Sequence, residues 1–297
     1  DRATYLEADT HLCRVFAHNA ARLCERPPDV VNATADAFVA GFEGTATFFI
    51  DPARRDADRR RVFRFADCAP DVTALLPALA GRAERLLVKA SPMIDLQQGI
   101  RELGRVESVH VVSVADEGRE VLFLVTPEAG AEPLVHCVDL HPDGAAGTFS
   151  FTFAGEAAAE CAISEPRAYL YDPATAVRKA GAFRTLAERF GLAKLAPSTH
   201  LYTSDTLVPG FPGRVFEVAG EGGKRPDRLV PEGRAQVLAR NHPLGAEALR
   251  RRYRLKDGGE HWLIGFRDAR GRARTVVARR IRRDREDRPA PRLHQGE

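Results

Sequence analysis

An α/β fold is expected, with a mainly parallel sheet followed by a smaller α+β unit, and three observations predict it. Short apolar runs alternate with helix-like segments through the first half of the chain, the pattern of strands joined by crossover helices. The pattern changes around residues 148–153, and a second set of strands and helices follows. Charge divides the chain as well: from position 224 onward roughly 21 basic residues stand against 10 acidic ones, before it roughly 23 against 31. An acidic body with a basic final third suits a polyanion such as nucleic acid. A surface that is merely rich in arginine gives the same pattern.

Each element has its own reason. Residues 3–6 read as a strand ended by Glu7, and Thr10 as the cap of a helix reaching Leu23, with Leu12, Val15, Phe16, Ala20 and Leu23 on one face. Pro27-Pro28 closes that unit, Val30-Val31 begins a strand, and Ala35-Asp36-Ala37 opens a helical piece. Strands are expected over 45–50, 85–90, 106–114, 121–125 and 135–140, helices over 72–80 and 96–103, and a loop over 67–70. Beyond the change of pattern, residues 168–172 start a new unit, and one long amphipathic helix is expected over 174–190, stopped by Gly191. Residues 197–205 read as extended, 215–218 and 236–240 as strands, 244–253 as a helix, and 262–266 with 274–278 as a hairpin. The charged, Pro-rich tail after Arg283 reads as disordered.

Several classes are disfavoured. No apolar run approaches the ~18 residues of a membrane helix, and no basic-then-apolar signal segment opens the chain. Cys13, Cys24, Cys68, Cys137 and Cys161 are scattered without a CxxC pair, as in a protein of a reducing compartment, so a cytoplasmic location is expected. The histidines form no HxxxH or HExxH pattern, so no metal is expected.

The candidate chemistry lies where strands end. In open α/β sheets, ligands bind beyond the carboxyl ends of the strands. The run FFIDPARRD, Phe48 to Asp56, reads as a buried strand that delivers Asp51 onto a turn stiffened by Pro52. Glu7 ends the first strand, Asp36 follows the second, and Lys89 leads into Ser91-Pro92 after the fourth. Crossover helices return each strand in the same direction, so these residues are expected on one edge of one sheet. A carboxylate there can accept from both ribose hydroxyls, and another can accept from an adenine amine. Each residue also has a plain alternative: Glu7 a solvated strand end, Asp36 a helix cap, Lys89 a solvated lysine. Arg54 and Arg55 suit a phosphate clamp or a surface cluster with Asp56 and Asp58.

The strings ATYLEAD, VVNATADAF, FFIDPARRD, LLVKASPMID, YLYDPATAVRKAGAF, LAERFGLAKLAPSTHLYTSD and RNHPLGAEALRRRYRLKDGGEHWLIGF resemble class I S-adenosylmethionine (SAM) dependent methyltransferases with C-terminal ferredoxin-like and THUMP-like domains. The resemblance implies a Rossmann-like methyltransferase domain over 1–155, a ferredoxin-like segment over 164–206, a THUMP-like domain over 211–283 and a tail over 284–297. It implies that Glu7 and Ala8 meet the SAM ribose, that Asp36 and Ala37 lie beside the adenine, and that Asp51 and Pro52 line the methyl-transfer site with Arg54 and Lys89 as further candidates. RNA is the implied partner, with Arg240, Arg250, Arg251, Arg254 and Lys256 as its contacts.

Two departures from the family pattern shape the expectation. No Gly-rich loop precedes the strand ending at Glu7, so the first strand is expected to be missing and SAM binding by this stretch alone to be weak. DPAR lacks the aromatic that stacks on a flipped base, and Ser91 stands where 5-methyluridine enzymes need a Cys. The leading reading is an RNA methyltransferase. A non-catalytic RNA-binding protein on the same fold, or a small-molecule methyltransferase, are the alternatives.

Overall fold

The computed structural model describes residues 3–54, 64–141, 146–223 and 225–281, with Arg54 and Asp227 described by their backbone only. Two compact units divide the chain. The first is Asp1–His110 with Glu120–Pro133; the second is Val111–Arg119 with Leu134–Glu297. No described helix is long and apolar enough to cross a membrane.

The first unit opens with β1 (Thr4–Glu7), α1 (Thr10–Leu23) and β2 (Asp29–Asn32), and the two strands pair in parallel with Leu6 opposite Val31. Asp9, not Thr10, caps α1: its carboxylate accepts from the backbone N–H of His11 at 2.7 Å and of Leu12 at 3.1 Å. That satisfies donors which the first turn cannot pair internally. After α2 (Ala35–Gly41) come β3 (Ala46–Ile50), β4 (Ala53–Arg54), β5 (Cys68–Ala69), α3 (Val72–Leu79), β6 (Ala83–Ala90) and α4 (Leu96–Leu103). A hairpin of β7 (Val106–Val114) and β8 (Glu117–Val125) follows, its base in the first unit and its tip in the second. In the first unit the strand order is β7-β8-β6-β3, with β3 parallel to β6 and β8 antiparallel to it. Phe65, Val72, Val88, Ile94 and Phe123 are fully buried beneath the helices, and Phe65 meets the Phe123 ring edge-on at 5.6 Å.

Three expectations are corrected here. The strand ends do not share one sheet: β1 and β2 form a two-stranded sheet of their own, with no ladder to β3 among the described residues. A crossover fixes a strand's direction but not its neighbour, and a ladder needs a strand about 4.8 Å away. Nor is the run at Phe48 buried. Among the described residues β3 pairs only with β6, and Phe49 is 60% exposed because successive side chains of a strand point to opposite faces. Finally, the expected loop at 67–70 contains β5, which pairs with β4 through Ala53 and Ala69.

In the second unit β9 (Leu134–Leu140) and β10 (Ala146–Phe151) pair antiparallel, in the order β10-β9-β7. Then follow α5 (Phe153–Ala158), β11 (Tyr169–Pro173), α6 (Thr175–Ala180), α7 (Arg184–Phe190), β12 (Ala193–Ala196), β13 (Thr199–Ser204), β14 (Gly213–Glu221), β15 (Gln236–Arg240), α8 (Ala246–Arg252), β16 (His261–Arg267) and β17 (Ala273–Ile281). Seven of these strands form one sheet in the order β12-β13-β11-β14-β17-β16-β15. The segments expected as separate pieces over 164–206 and 211–283 therefore share a single sheet, because β11 pairs with β13 on one side and β14 on the other.

The long helix expected over 174–190 is two helices. Gly181 takes a left-handed conformation at φ +83°, and the N–H groups of Gly181 and Ala182 both return to the Val177 carbonyl. Only glycine adopts that conformation without strain, so the first helix stops there. α7 restarts on the Glu156 carboxylate, which accepts from the N–H groups of Phe183, Arg184 and Thr185 at 2.8–3.0 Å. Amphipathic periodicity runs on across such a break, which is why sequence alone joined the two.

Asp172, whose side chain is wholly buried at the end of β11, binds the sheet to its neighbours. Its carboxylate pairs with Arg214 of β14 at 2.5 Å and Arg240 of β15 at 2.7 Å, and Arg178 of α6 lies at 3.6 Å. Asp116 takes the remaining reach of Arg178 and Arg214 and accepts from the Thr175 backbone N–H at 2.7 Å. Backbones also approach closely at this point: a Cβ on Gly213 would sit 2.2 Å from the Asp172 carbonyl oxygen.

His200 stacks on Phe183 with centroids 3.5 Å apart, and its Nδ1 is buried without a partner among the described residues. Burial, joined by the charges of Lys194, Arg178 and Arg240, lowers its pKa to about 4.

Two outcomes follow. Asp172→Ala leaves three guanidinium groups without their shared anion. The expected loss lies toward the lower end of about 3–5 kcal/mol, because each arginine side chain keeps about a fifth of its surface in water; a denaturant midpoint shift measures it. For His200, the folded state stays neutral where the unfolded chain already takes a proton, so its contribution is present above the unfolded pKa of about 6.5. That contribution declines as pH falls toward about 4 and is constant below. The drop in Tm between pH 7 and pH 4.5 should accordingly be smaller in His200→Gln than in the parent protein; equal drops refute the assignment.

Candidate functional site

The carboxyl ends of β1, β2, β3 and β6 hold the predicted residues. The first group is built by Asn32, the last residue of β2. Its side-chain amide donates to the backbone carbonyls of Glu7 and Ala8, both at 2.9 Å, and its oxygen accepts from the Thr10 hydroxyl at 2.8 Å. One side chain thus ties the end of β1 to the end of β2 and to the start of α1. Glu7 is held in turn: one carboxylate oxygen accepts from the Asp9 N–H at 2.9 Å, and the other stands 3.5 Å from the Tyr5 hydroxyl. That second oxygen has acceptor capacity left, since an ionised carboxylate has about four lone-pair sites. Burial, followed by the nearby Glu7 charge, raises the Tyr5 pKa, so the phenol keeps its proton.

Asp36 and Ala37 are exposed in the first turn of α2. Asp36 is not the cap; Thr34 is, accepting from the Ala37 N–H at 3.4 Å. The Asp36 carboxylate stays available at the positive end of the helix, which favours an anion there.

The second group is Asp51 and Lys89. Parallel pairing sets Ile50 opposite Val88, so the next residue on β3 and the next on β6 also meet. The Lys89 ammonium lies 2.5 Å from the Asp51 carboxylate. Its side-chain hydrogen bond to Asp51 outweighs desolvation and raises the Lys89 pKa. An ammonium held this way remains cationic at neutral pH: it can donate to an oxygen but cannot take a proton. Pro52 is buried and anchors the turn. The Ser91 hydroxyl accepts from the Met93 N–H at 3.3 Å and shapes the loop after β6. The Arg54 backbone pairs with Cys68. Arg55, Asp56 and Asp58 lie outside the described residues, as do Lys224 and the tail over 284–297.

The structure brings Asp51 to Lys89 and Glu7 to Asn32; no described hydrogen bond or ion pair joins one group to the other. Asn32 and Tyr5 were missed by sequence reasoning. An Asn closing the string VVN just before a helix cap is the available signal, since Asn favours such turns.

The predicted basic contacts separate into two sets. Arg240 is committed to Asp172, and Arg250 is committed to Glu247 at 2.7 Å and Asp257 at 2.9 Å. Arg251, Arg254 and Lys256 are exposed at and beyond the end of α8.

Asp51→Ala tests the pairing directly. The titration of the Lys89 ammonium, followed by NMR, should move to lower pH, while stability at pH 7 changes by about 0–1 kcal/mol, as for exposed ion pairs. An unmoved titration contradicts the pairing.

Comparison with known proteins gives a consistent picture. Residues 169–212 match a ferredoxin-like domain family, and residues 213–280 match a family described as THUMP domain-like. The crystal structure of a candidate methyltransferase from Porphyromonas gingivalis W83 superposes with a TM-score of 0.84 and is 30% identical, over 95% of this chain and 72% of that one. An uncharacterized S-adenosylmethionine-dependent methyltransferase of Mycobacterium tuberculosis, from strain CDC 1551 and from strain H37Rv, is 30% identical over 220 residues. Those matches take in 71% of this chain, and the chain spans 57% of the length of these curated relatives.

Proposed function

We propose, from the premise that this chain belongs to the family of S-adenosylmethionine-dependent methyltransferases with C-terminal ferredoxin-like and THUMP-like domains, that the whole protein is a methyltransferase acting on RNA. The reading rests above all on the carboxylate–ammonium pair of Asp51 and Lys89 at the ends of adjacent parallel strands. The THUMP-like match and the exposed Arg251, Arg254 and Lys256 favour RNA over a small metabolite. A cytoplasmic protein agrees with its cysteines, which are all free thiols.

The residues fit the nucleoside half of SAM. Glu7 would accept from the ribose hydroxyls through its less engaged oxygen, with the Glu7-Ala8 backbone fixed by Asn32. Asp36 and Ala37 would stand beside the adenine. SAM, when bound, supplies a methyl group activated by its sulfonium. The remaining work falls to the chain: Asp51 orients the acceptor and takes its proton if the acceptor is a weak nucleophile. Lys89 keeps that carboxylate in place and donates to an acceptor oxygen. Arg54 and Pro52 border the same turn. Holding the acceptor in line contributes through orientation rather than new bonds.

Calorimetry with the full-length protein tests the cofactor. SAM should bind in the micromolar range, and Glu7→Ala should weaken it about tenfold or more, the expected scale for a hydrogen bond to a charged group. A folded full-length protein that does not bind SAM removes the methyltransferase reading. Methyl incorporation into cellular RNA should fall at least a hundredfold in Asp51→Ala, in keeping with a general base; full activity in that variant sinks its role.

A further inference from the structure

We infer that the THUMP-like domain holds a pocket for one unpaired ribonucleotide, between the loop before α8, the second half of α8 and the facing ends of β14 and β17. The inference rests on the RNA reading above and gives it a specific binding site. The cavity measures about 270 Å³. That is just under the roughly 300–1,000 Å³ of small-ligand pockets, the scale of one heteroaromatic ring and not of a longer segment.

Its walls have the right chemistry. Pro243, Leu244 and Leu249 supply apolar contact, and Leu249 belongs to the core cluster on which Leu244 and Tyr253 pack. Around them stand polar groups with unused capacity. The His242 Nδ1 lies 3.0 Å from the Leu244 backbone nitrogen and 3.1 Å from the Leu244 carbonyl oxygen, so the Leu244 backbone engages that nitrogen and leaves Nε2 for a ligand. Burial first, then the charges of Arg252 and Arg267, lower the His242 pKa and keep the ring neutral. Its Nε2 has no partner among the described residues, and neither does the Tyr253 hydroxyl. Thr275 forms part of the wall, its Oγ1 closed in beside Gly222.

Charge selects the ligand class. Arg252 lines the cavity and makes no described ion pair, with its guanidinium 5.8 Å from the centre of the Tyr253 ring. Its neighbour Arg250, in contrast, is spent on Glu247 and Asp257. The Glu221 carboxylate on the same wall is taken up by Arg274 at 2.5 Å, so an apolar slot with polar groups at its edge and the Arg252 guanidinium at its rim fits a base plus its phosphate. Bases in a duplex are stacked and paired, so only an unpaired nucleotide can enter.

The test uses the full-length protein with four ribonucleoside monophosphates, a short single-stranded RNA and a blunt RNA duplex, each titrated by calorimetry. Ala273 is exposed at the cavity wall, so Ala273→Phe fills the space while suiting a strand. The proposal expects at least one monophosphate to bind saturably, and single-stranded RNA to bind more tightly than duplex. Ala273→Phe should abolish the first and weaken the second about tenfold or more. Arg252→Ala should also weaken single-stranded RNA, lowering the slope of log affinity against log salt by about 0.7. Arg270→Ala, at an exposed arginine outside the cavity, should leave monophosphate binding unchanged. RNA binding that survives Ala273→Phe overturns the pocket and leaves the RNA reading standing. Monophosphate binding that Ala273→Phe abolishes, without affinity for either RNA, supports the pocket and overturns the RNA reading. Absence of both overturns the two together.

Discussion

The buried carboxylate of Asp172 is the interaction on which the second unit depends. Removing a charge from water costs several kcal/mol, and only well-placed partners offset it. Asp172 has them in Arg214 and Arg240, with Arg178 close by, contributed by β14, β15 and α6. Each of those elements must therefore end in one place. The carboxylate belongs to the stretch matched as ferredoxin-like and two of its arginines to the THUMP-like stretch, so the boundary between the two families runs through an ion cluster and a shared sheet. The two stretches are one structural body in this chain, although family matches divide them.

A comparable economy governs the strand ends of the first unit. One register, Ile50 opposite Val88, places Asp51 beside Lys89 without any residue dedicated to the purpose. One side chain, Asn32, holds the Glu7 and Ala8 carbonyls and the Thr10 hydroxyl. Functional groups positioned by backbone pairing and by a supporting hydrogen bond are held more closely than groups on free loops. The pairing also divides the chemistry. Lys89 is kept charged by its partner, so of the two side chains only the carboxylate is able to accept a proton.

The basic final third shows why counted charge differs from available charge. Arg240 and Arg250 carry as much formal charge as Arg252, yet both face carboxylates. Their positive field is largely neutralised at short range, where Coulomb attraction is strongest. Around the end of α8, what remains for a polyanion is Arg251, Arg252, Arg254 and Lys256, which have no carboxylate partner among the described residues. Sequence spacing alone ranks these arginines as equals.

Local chemistry was legible from the chain itself. The alternation of strands and helices, the stop at Gly191, the helix over 96–103 and the strand over 236–240 follow from periodicity and end signals that act within a few residues. The resemblance to a methyltransferase family was legible too, because it rests on contiguous strings. Non-local facts were decided by tertiary structure: the separate pairing of β1 with β2, the exposure of Phe49, the ion cluster of Asp172, the meeting of Asp51 with Lys89, and the cavity at His242 and Thr275. Each depends on which strand lies beside which, and in what register. Residues 38 to 68 positions apart in the chain have no local pattern that announces their contact; only burial and the closing of backbone ladders select it.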